Sequence, residues 1–388
     1  MPVYADHLLL PWLDDLRPRV PDLALVDAHV HVGLGDPTGL LATLEDAEDA
    51  LERAGAAGWV VPLGQREGYA EANEALAAAA RDSGGRLQAL ARLDPEDEPL
   101  RRAEAALDAG AMGLKLHPRG ERFTLDDPRL DDVFALASGR RLPVLVHCGT
   151  GVHGLGRTAL ARAIDAPGAR IILAHAAITD LGWLPRRLDD VPNLFFDTAW
   201  WNPADILALF ALVPPGRIVF GSDIPFASPV QHAVTTLRCA IQAGLSPAQL
   251  RAVMGGTARQ LAAHADDLPD LGPASGTVPA VGPLLERLMV TLITVAEPML
   301  RSEDPGEGLE LAHHACHVAA NTEDGEIFAT VSRLLDLAGH AEPDPRRVAR
   351  TPGFDCILVA AAAARTPRAG APAWSAVAAS AGQPSAAA

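Results

Sequence analysis

From about residue 23 to residue 226, short apolar runs alternate with stretches whose apolar residues recur every three or four positions. The runs are LALVDAHVHV (23–32), GWVVPLG (58–64), RLQALARLD (86–94) and MGLKLHP (112–118), then LPVLVHCG (142–149), ARIILAHA (169–176), NLFFDTAW (193–200) and RIVFGSDIP (217–225). Most are apolar nearly throughout, which is how strands of a parallel sheet covered on both faces read. The intervening segments, among them LEDAEDALERAGAAG, AEANEALAAAARDSGG and EPLRRAEAALDAGA, have helical period. Several end at a glycine, as a helix C-terminal cap requires. Eight strand–helix units in roughly 240 residues predict an α/β fold, a (β/α)8 TIM barrel over 1–264. Its last helix is read in SPVQHAVTTLRCAIQAGL, followed by SPAQLRAVMGGTARQLAAH.

Beyond the barrel the pattern changes. Residues 265–282, DLPDLGPASGTVPAVG and its flanks, are rich in Pro, Gly and small residues and read as a linker. Residues 283–366 carry helical patterns near 283–300, 306–320, 325–338 and 354–364 with no strand pattern, so a mostly helical C-terminal extension is expected. The final stretch, 367–388, is Ala/Ser/Pro low complexity and reads as a disordered tail.

Composition narrows the function classes. At 388 residues and 49% hydrophobic, the chain can bury a large core, but no apolar run approaches membrane-spanning length. The N-terminus has no basic start followed by an apolar region, so a cytoplasmic protein is expected. Cys148, Cys239, Cys316 and Cys356 are scattered, without the spacing of a disulfide framework or a CxxC site. A net charge of −17 argues against a nucleic-acid surface. The expected partner is a small-molecule substrate, with no nucleic acid and no membrane; a homo-oligomer stays open.

One compositional detail has chemical weight. Of 32 Lys and Arg residues, Lys115 alone is a lysine, and it lies inside the apolar run MGLKLHP. A buried amine can lose its proton; a guanidinium cannot.

Barrel enzymes build their sites at the C-terminal ends of the strands. The first run ends in His29 and His31, which alternation places on one side of a strand. The fourth ends in Lys115 and His117, the fifth in His147, the sixth in His175 and the eighth in Asp223. A lone histidine in an apolar strand is more often a packed core residue; metal-ligand types at five of eight strand ends point to a cation site. Imidazole with carboxylate suits Zn²⁺, Mn²⁺ or Fe²⁺ better than Ca²⁺ or Mg²⁺. Zn²⁺ is the expected ion, as one or two ions.

Taken in order, VDAHVHVG, GLKLHP with DDPRL, LPVLVHCGTG, ILAHAA, NLFFDTAW, RIVFGSDIPF and VMGGTARQLA resemble the metal-dependent amidohydrolase superfamily. The resemblance covers residues 22–264. It is greatest to the amidohydrolase-related TIM-barrel group, which includes decarboxylases similar to aminocarboxymuconate-semialdehyde decarboxylase. It implies that His29 and His31 hold the more buried metal, and that His147 and His175 match the histidines of strands five and six. It further implies that Asp223 binds metal and relays a proton. Lys115 stands where binuclear members carry a CO₂-carbamylated lysine; the alternative is a plain amine beside a single metal.

The metal set is therefore His29, His31, Lys115, His147, His175 and Asp223, with Asp223, His175 and Lys115 as catalytic groups. The expected activity is hydrolysis of a small amide, ester or lactone by metal-activated water. The alternative is a non-oxidative decarboxylase or hydratase on the same site. A third reading is a catalytically silent barrel with a helical interaction domain.

Other positions carry weaker readings. His117 either faces the mouth or sits in a turn. Arg119 and Arg122 either hold a substrate carboxylate or are surface residues. Cys148 and His153 lie in the HCGTGVHG loop, where a buried thiol is expected rather than a nucleophile. Asp197 would orient a ligating histidine. Trp200 and Trp201 would form an apolar wall. His313 and His317 are one helical turn apart, but the residue after the first is His314 rather than the Glu of a zincin, so no ligand role is assigned.

Overall fold

The computed structural model describes residues 4–152, 154–318, 322–339, 353–373 and 375–377. The eight apolar runs become eight parallel strands: β1 (Leu25–Val32), β2 (Ala56–Pro62), β3 (Leu87–Leu93), β4 (Gly113–Leu116), β5 (Pro143–Val146), β6 (Arg170–Leu173), β7 (Leu194–Asp197) and β8 (Ile218–Val219). They lie in sequence order in one sheet. The ring closes irregularly, since β8 has only two ladder residues. Past them, Ala28 donates its amide to the Phe220 carbonyl at 2.8 Å, and His31 donates to the Ile224 carbonyl at 2.9 Å. Inward residues of successive strands, including Val26, Trp59, Leu90, Leu145, Ile172, Phe195 and Val219, fill the barrel as one apolar cluster. The barrel is thus a packed plug with a mouth at its C-terminal end.

The helices are α1 (Asp6–Leu16), α2 (Leu44–Ala54), α3 (Ala70–Asp82), α4 (Pro99–Asp108), α5 (Asp131–Arg140), α6 (Leu155–Asp165), α7 (Pro203–Leu212), α8 (Pro229–Gln242), α9 (Pro247–Arg251) and α10 (Thr257–Ala262). Beyond them come α11 (Pro283–Leu300), α12 (Glu307–Ala315), α13 (Gly325–Ala338) and α14 (Phe354–Arg365). Local chemistry sets several ends. The Thr43 hydroxyl accepts from the Asp46 amide to start α2, and Gly55, at φ 60°, closes it. The Ser228 hydroxyl accepts from the Gln231 amide to start α8. The helix α1 was not foreseen, because its Pro11 interrupts the pattern.

The C-terminal helices extend the barrel core. α14 packs on α7 and α8 and against α11 and α13, and one apolar cluster runs from the outer faces of the strands into these helices. Residues 265–282 form no helix or strand; the Ser275 amide donates to the Phe210 carbonyl at 3.2 Å, tying the segment to α7. The stretch read as a tail begins in packed structure: Pro367–Ala369 is a 3₁₀ turn with Ala369 buried. Residues 378–388 lie outside the described residues. Arg238 of α8, fully buried, fastens this region. Its guanidinium donates to Thr366 Oγ1 (3.1 Å), the Thr366 carbonyl (3.1 Å) and the Gly370 carbonyl (2.7 Å), and stacks over Trp12 of α1. Burial pulls its pKa down to about 10. Three charge-assisted bonds, each worth about 1.5–3 kcal/mol, offset that desolvation. No helix among the described residues is long and apolar enough to cross a membrane.

Candidate metal centre

His29 and His31 both belong to β1, with a register irregularity between Asp27 and Val30. The buried Asp27 carboxylate holds this irregularity, accepting from the His29 amide at 3.1 Å and the Ser222 amide at 2.9 Å. As alternation predicts, the two imidazoles share a side, with Nε2 atoms 3.1 Å apart. Asp223 arrives from the loop after β8 with a left-handed backbone, φ 65°, fixed by its amide donating to the His29 carbonyl at 2.8 Å. That strained conformation aims its Oδ1 at both rings, 3.2 Å from each Nε2.

These three atoms form a near-equilateral triangle of acceptor groups, and Asp223 Oδ1 has no hydrogen-bond partner among the described residues. A tetrahedral ion with arms of about 2.0–2.2 Å has ligand–ligand edges of about 3.3–3.6 Å, close to this triangle. Burial holds both imidazoles well below their ordinary pKa and so keeps them neutral, the form a metal requires. It raises Asp223 to about 6. His29, His31 and Asp223 therefore fit a divalent cation.

Lys115 stands beside the triangle, its Nζ 2.9 Å from His29 Nε2 and its side chain fully buried. Desolvation is the main cause of its pKa falling to about 8, with Asp223 pulling the other way. Its register neighbour on β3 is Arg92, which the sequence reading missed. Arg92 is buried and paired with Glu121 at 2.6 Å; Tyr69 donates to the same carboxylate oxygen at 2.6 Å. The inward positions of β3 run 88, 90, 92, so a signal existed, but the abundance of arginine hid it.

His147 and His175 form a second pair, with His175 Nε2 2.9 Å from His147 Nδ1. Both lie just past their strands. His175, Ala176 and Ala177 all have positive φ (59°, 55° and 47°), a left-handed turn that swings the His175 ring into the mouth. Its Nδ1 donates to the Ala199 carbonyl at 2.7 Å, which leaves Nε2 as the lone-pair nitrogen. His147 Nδ1–H is then the donor to it, and His147 Nε2 is a buried acceptor without a partner among the described residues. Gly149 makes room for the pair, since a Cβ there would lie 3.1 Å from His147 and 3.2 Å from His175. Asp197 braces both groups of histidines: Oδ2 accepts from His29 Nδ1 at 2.8 Å, and Oδ1 accepts from the His175 amide at 2.7 Å.

The secondary candidates sort clearly. His117 does both things foreseen for it: its Nδ1 accepts from the Gly120 amide in a turn, and its ring stacks on His147 at 4.0 Å. Arg119 and Arg122 are exposed. Cys148 is buried, and burial raises its thiol far above the ordinary range, so it is no thiolate nucleophile. His153 lies outside the described residues. Trp200 meets His175 edge-on at 6.4 Å and is fixed by donating to Asp205 at 2.7 Å; Trp201 is 6.2 Å from it. His314 and His317 only approach each other on α12 and its end. Among the described residues, the one cluster with metal-ligand geometry is His29, His31 and Asp223.

A family model described as amidohydrolase matches residues 26–261. A 6-methylsalicylic acid decarboxylase of Penicillium expansum is 38% identical over 16% of this chain and 25% of its own length, so the match spans about a quarter of that curated relative. Among solved structures, an uncharacterised TIM-barrel protein of Bordetella bronchiseptica superposes with a TM-score of 0.51 at 16% identity, covering 63% of this chain and all of that one. A 5-carboxyvanillate decarboxylase of Sphingomonas paucimobilis gives 0.49 at 14% identity, covering 62% of this chain and 99% of that one. At these identities the structural likeness concerns the fold alone.

Proposed function

The chain belongs to the amidohydrolase family, and from that premise we propose that it is a metal-dependent lyase removing CO₂ from a small, planar carboxylic acid. The sequence reading put hydrolysis first. Decarboxylation takes precedence because the curated relative is a decarboxylase, and because His175 stands outside the three-atom cluster with its Nε2 free of any backbone bond. That second observation carries the reading: a histidine anchored at Nδ1, whose Nε2 lone pair meets only the neighbouring His147, can move a proton beside a cation without being consumed as a ligand.

A divalent cation held by His29, His31 and Asp223 would supply Lewis acidity to the bound substrate. Lys115 places positive charge in the mouth and favours an anionic substrate, while its register neighbour Arg92 is paired with Glu121. Trp200 and Trp201 give a fixed apolar wall for a flat, unsaturated body. In the reaction His175 Nε2 would first take up a proton from solvent; the carbon–carboxylate bond breaks, CO₂ leaves, and the carbon's electron pair takes that proton, returning His175 to its neutral Nδ1–H form. Burial keeps the pKa of that imidazole low, so it releases the proton readily, and solvent restores it.

Hydrolysis remains a second reading because Asp223, raised to about 6, is also suited to accept a proton from an attacking water. The third reading, a silent barrel, is disfavoured by the complete set of ligand types. The test is product analysis of the zinc-loaded enzyme with small aromatic and unsaturated carboxylic acids, and with their esters and lactones. Release of CO₂ is expected, lost by about 100-fold or more in His175→Ala with zinc content unchanged. Turnover of esters or lactones without CO₂ release would replace the proposal by hydrolysis.

A further inference from the structure

We propose that His232, on a helix outside the barrel, is a positioning residue for the metal centre, acting through the backbone of Asp197–Ala199.

His232 lies on α8 with 2% of its surface exposed, and its Nε2–H donates to the Thr198 carbonyl at 2.7 Å. Thr198 is the middle residue of a segment whose other two members hold the site. Asp197 binds the His29 ring and the His175 amide, and the Ala199 carbonyl binds the His175 ring. A turn of the Thr198 peptide would therefore misplace two imidazoles at once. The Thr198 hydroxyl accepts from the Gly221 amide at 3.2 Å, two residues before Asp223, and from Thr236 of α8 at 3.4 Å. One residue of β7's end thus ties α8 to both the histidine and the aspartate sides of the site.

Two further observations separate this from ordinary packing. The other ring nitrogen of His232, Nδ1, is buried and has no partner among the described residues, so the ring is held by a single bond, the one to Thr198. A buried orphan of this kind calls for an explanation, and the orientation of Thr198 supplies one. α14 packs on α8, the helix that carries His232; Asp355, buried in its first turn, and Asp223 favour the charged form of the ring, and His175 opposes it. The C-terminal extension thus backs the helix that holds Thr198. A polar residue on a helix buried nearly all round is the trace of this in the sequence.

The test uses the full chain. His232→Met fills the space without a donor, and His232→Gln returns an N–H. In metal-free wild type, imidazole ¹⁵N spectra should show His29 and His175 protonated at Nδ1; His232→Met should disturb that pattern and His232→Gln should restore it. Only the second readout rests on the metal reading. Zinc affinity should weaken by about 10–100-fold in His232→Met and recover to within about threefold in His232→Gln. If wild type binds no zinc, the metal reading falls and the spectra alone decide this inference. Should His232→Met fail to fold, Thr236→Val, which withdraws one hydroxyl from Thr198, is expected to shift the same signals with roughly a threefold loss in affinity. Unchanged spectra in a folded His232→Met protein would overturn the proposal, as would equal disturbance in Met and Gln.

Discussion

His29 Nδ1 lies 2.8 Å from Asp197 Oδ2, and neither side chain reaches solvent. A neutral imidazole has one N–H, and giving it to Asp197 forces the lone pair onto Nε2, the atom that faces His31 and Asp223. The carboxylate thus fixes the tautomer and angle of the proposed ligand His29 from outside the His29–His31–Asp223 triangle. Asp197→Ala should weaken zinc binding by about 10–100-fold while the fold persists. Calorimetric titration with Zn²⁺ checks this; affinity within a factor of two of wild type would show that the tautomer is fixed by something else.

The sole lysine is buried against the proposed metal triangle. With Nζ on His29 Nε2 and a pKa near 8, Lys115 is partly neutral at physiological pH, which no arginine could be. The two readings of Lys115, plain amine beside one metal and carbamate bridging two, differ in metal content. Lys115→Met is expected to keep its metal content and lose turnover by about 100-fold, with Lys115→Arg no better. Metal analysis separates the alternatives: loss of one equivalent from an enzyme holding two would establish the carbamate.

Zinc affinity should depend on pH through Asp223. Burial puts this carboxyl at about 6, while the site imidazoles stay neutral well below their usual range. Below pH 6 the ion must displace the Asp223 proton, so apparent affinity should fall about tenfold per pH unit; above 6 this dependence should flatten. Competition against a chelating indicator between pH 5 and 7.5 measures it. A level affinity down to pH 5 would remove Asp223 from the ligand set.

Much of this molecule was legible in its hydrophobic pattern. All eight strands occur in the predicted order, because strands buried on both faces must be apolar throughout. Helices α11 and α13 match the stretches read at 283–300 and 325–338. The strand ends were less legible. His117, His147, His175 and Asp223 lie past the ladders, and at His175 and Asp223 a left-handed backbone breaks pairing in a way no periodicity announces. Arg92 was lost among the arginines, and His232 read as one polar residue in a helix. The linker's composition marks where the helical extension begins but carries no sign of how the extension packs; tertiary packing joins it to the barrel in one core.

The convergence of His29, His31 and Asp223 is tested most directly by elemental analysis after zinc-supplemented expression and dialysis. The account predicts at least about one equivalent of zinc in wild type, and less than about 0.2 in an Asp223→Ala protein with unchanged circular dichroism. Wild type below about 0.2 equivalents, or Asp223→Ala retaining the full amount, would contradict it.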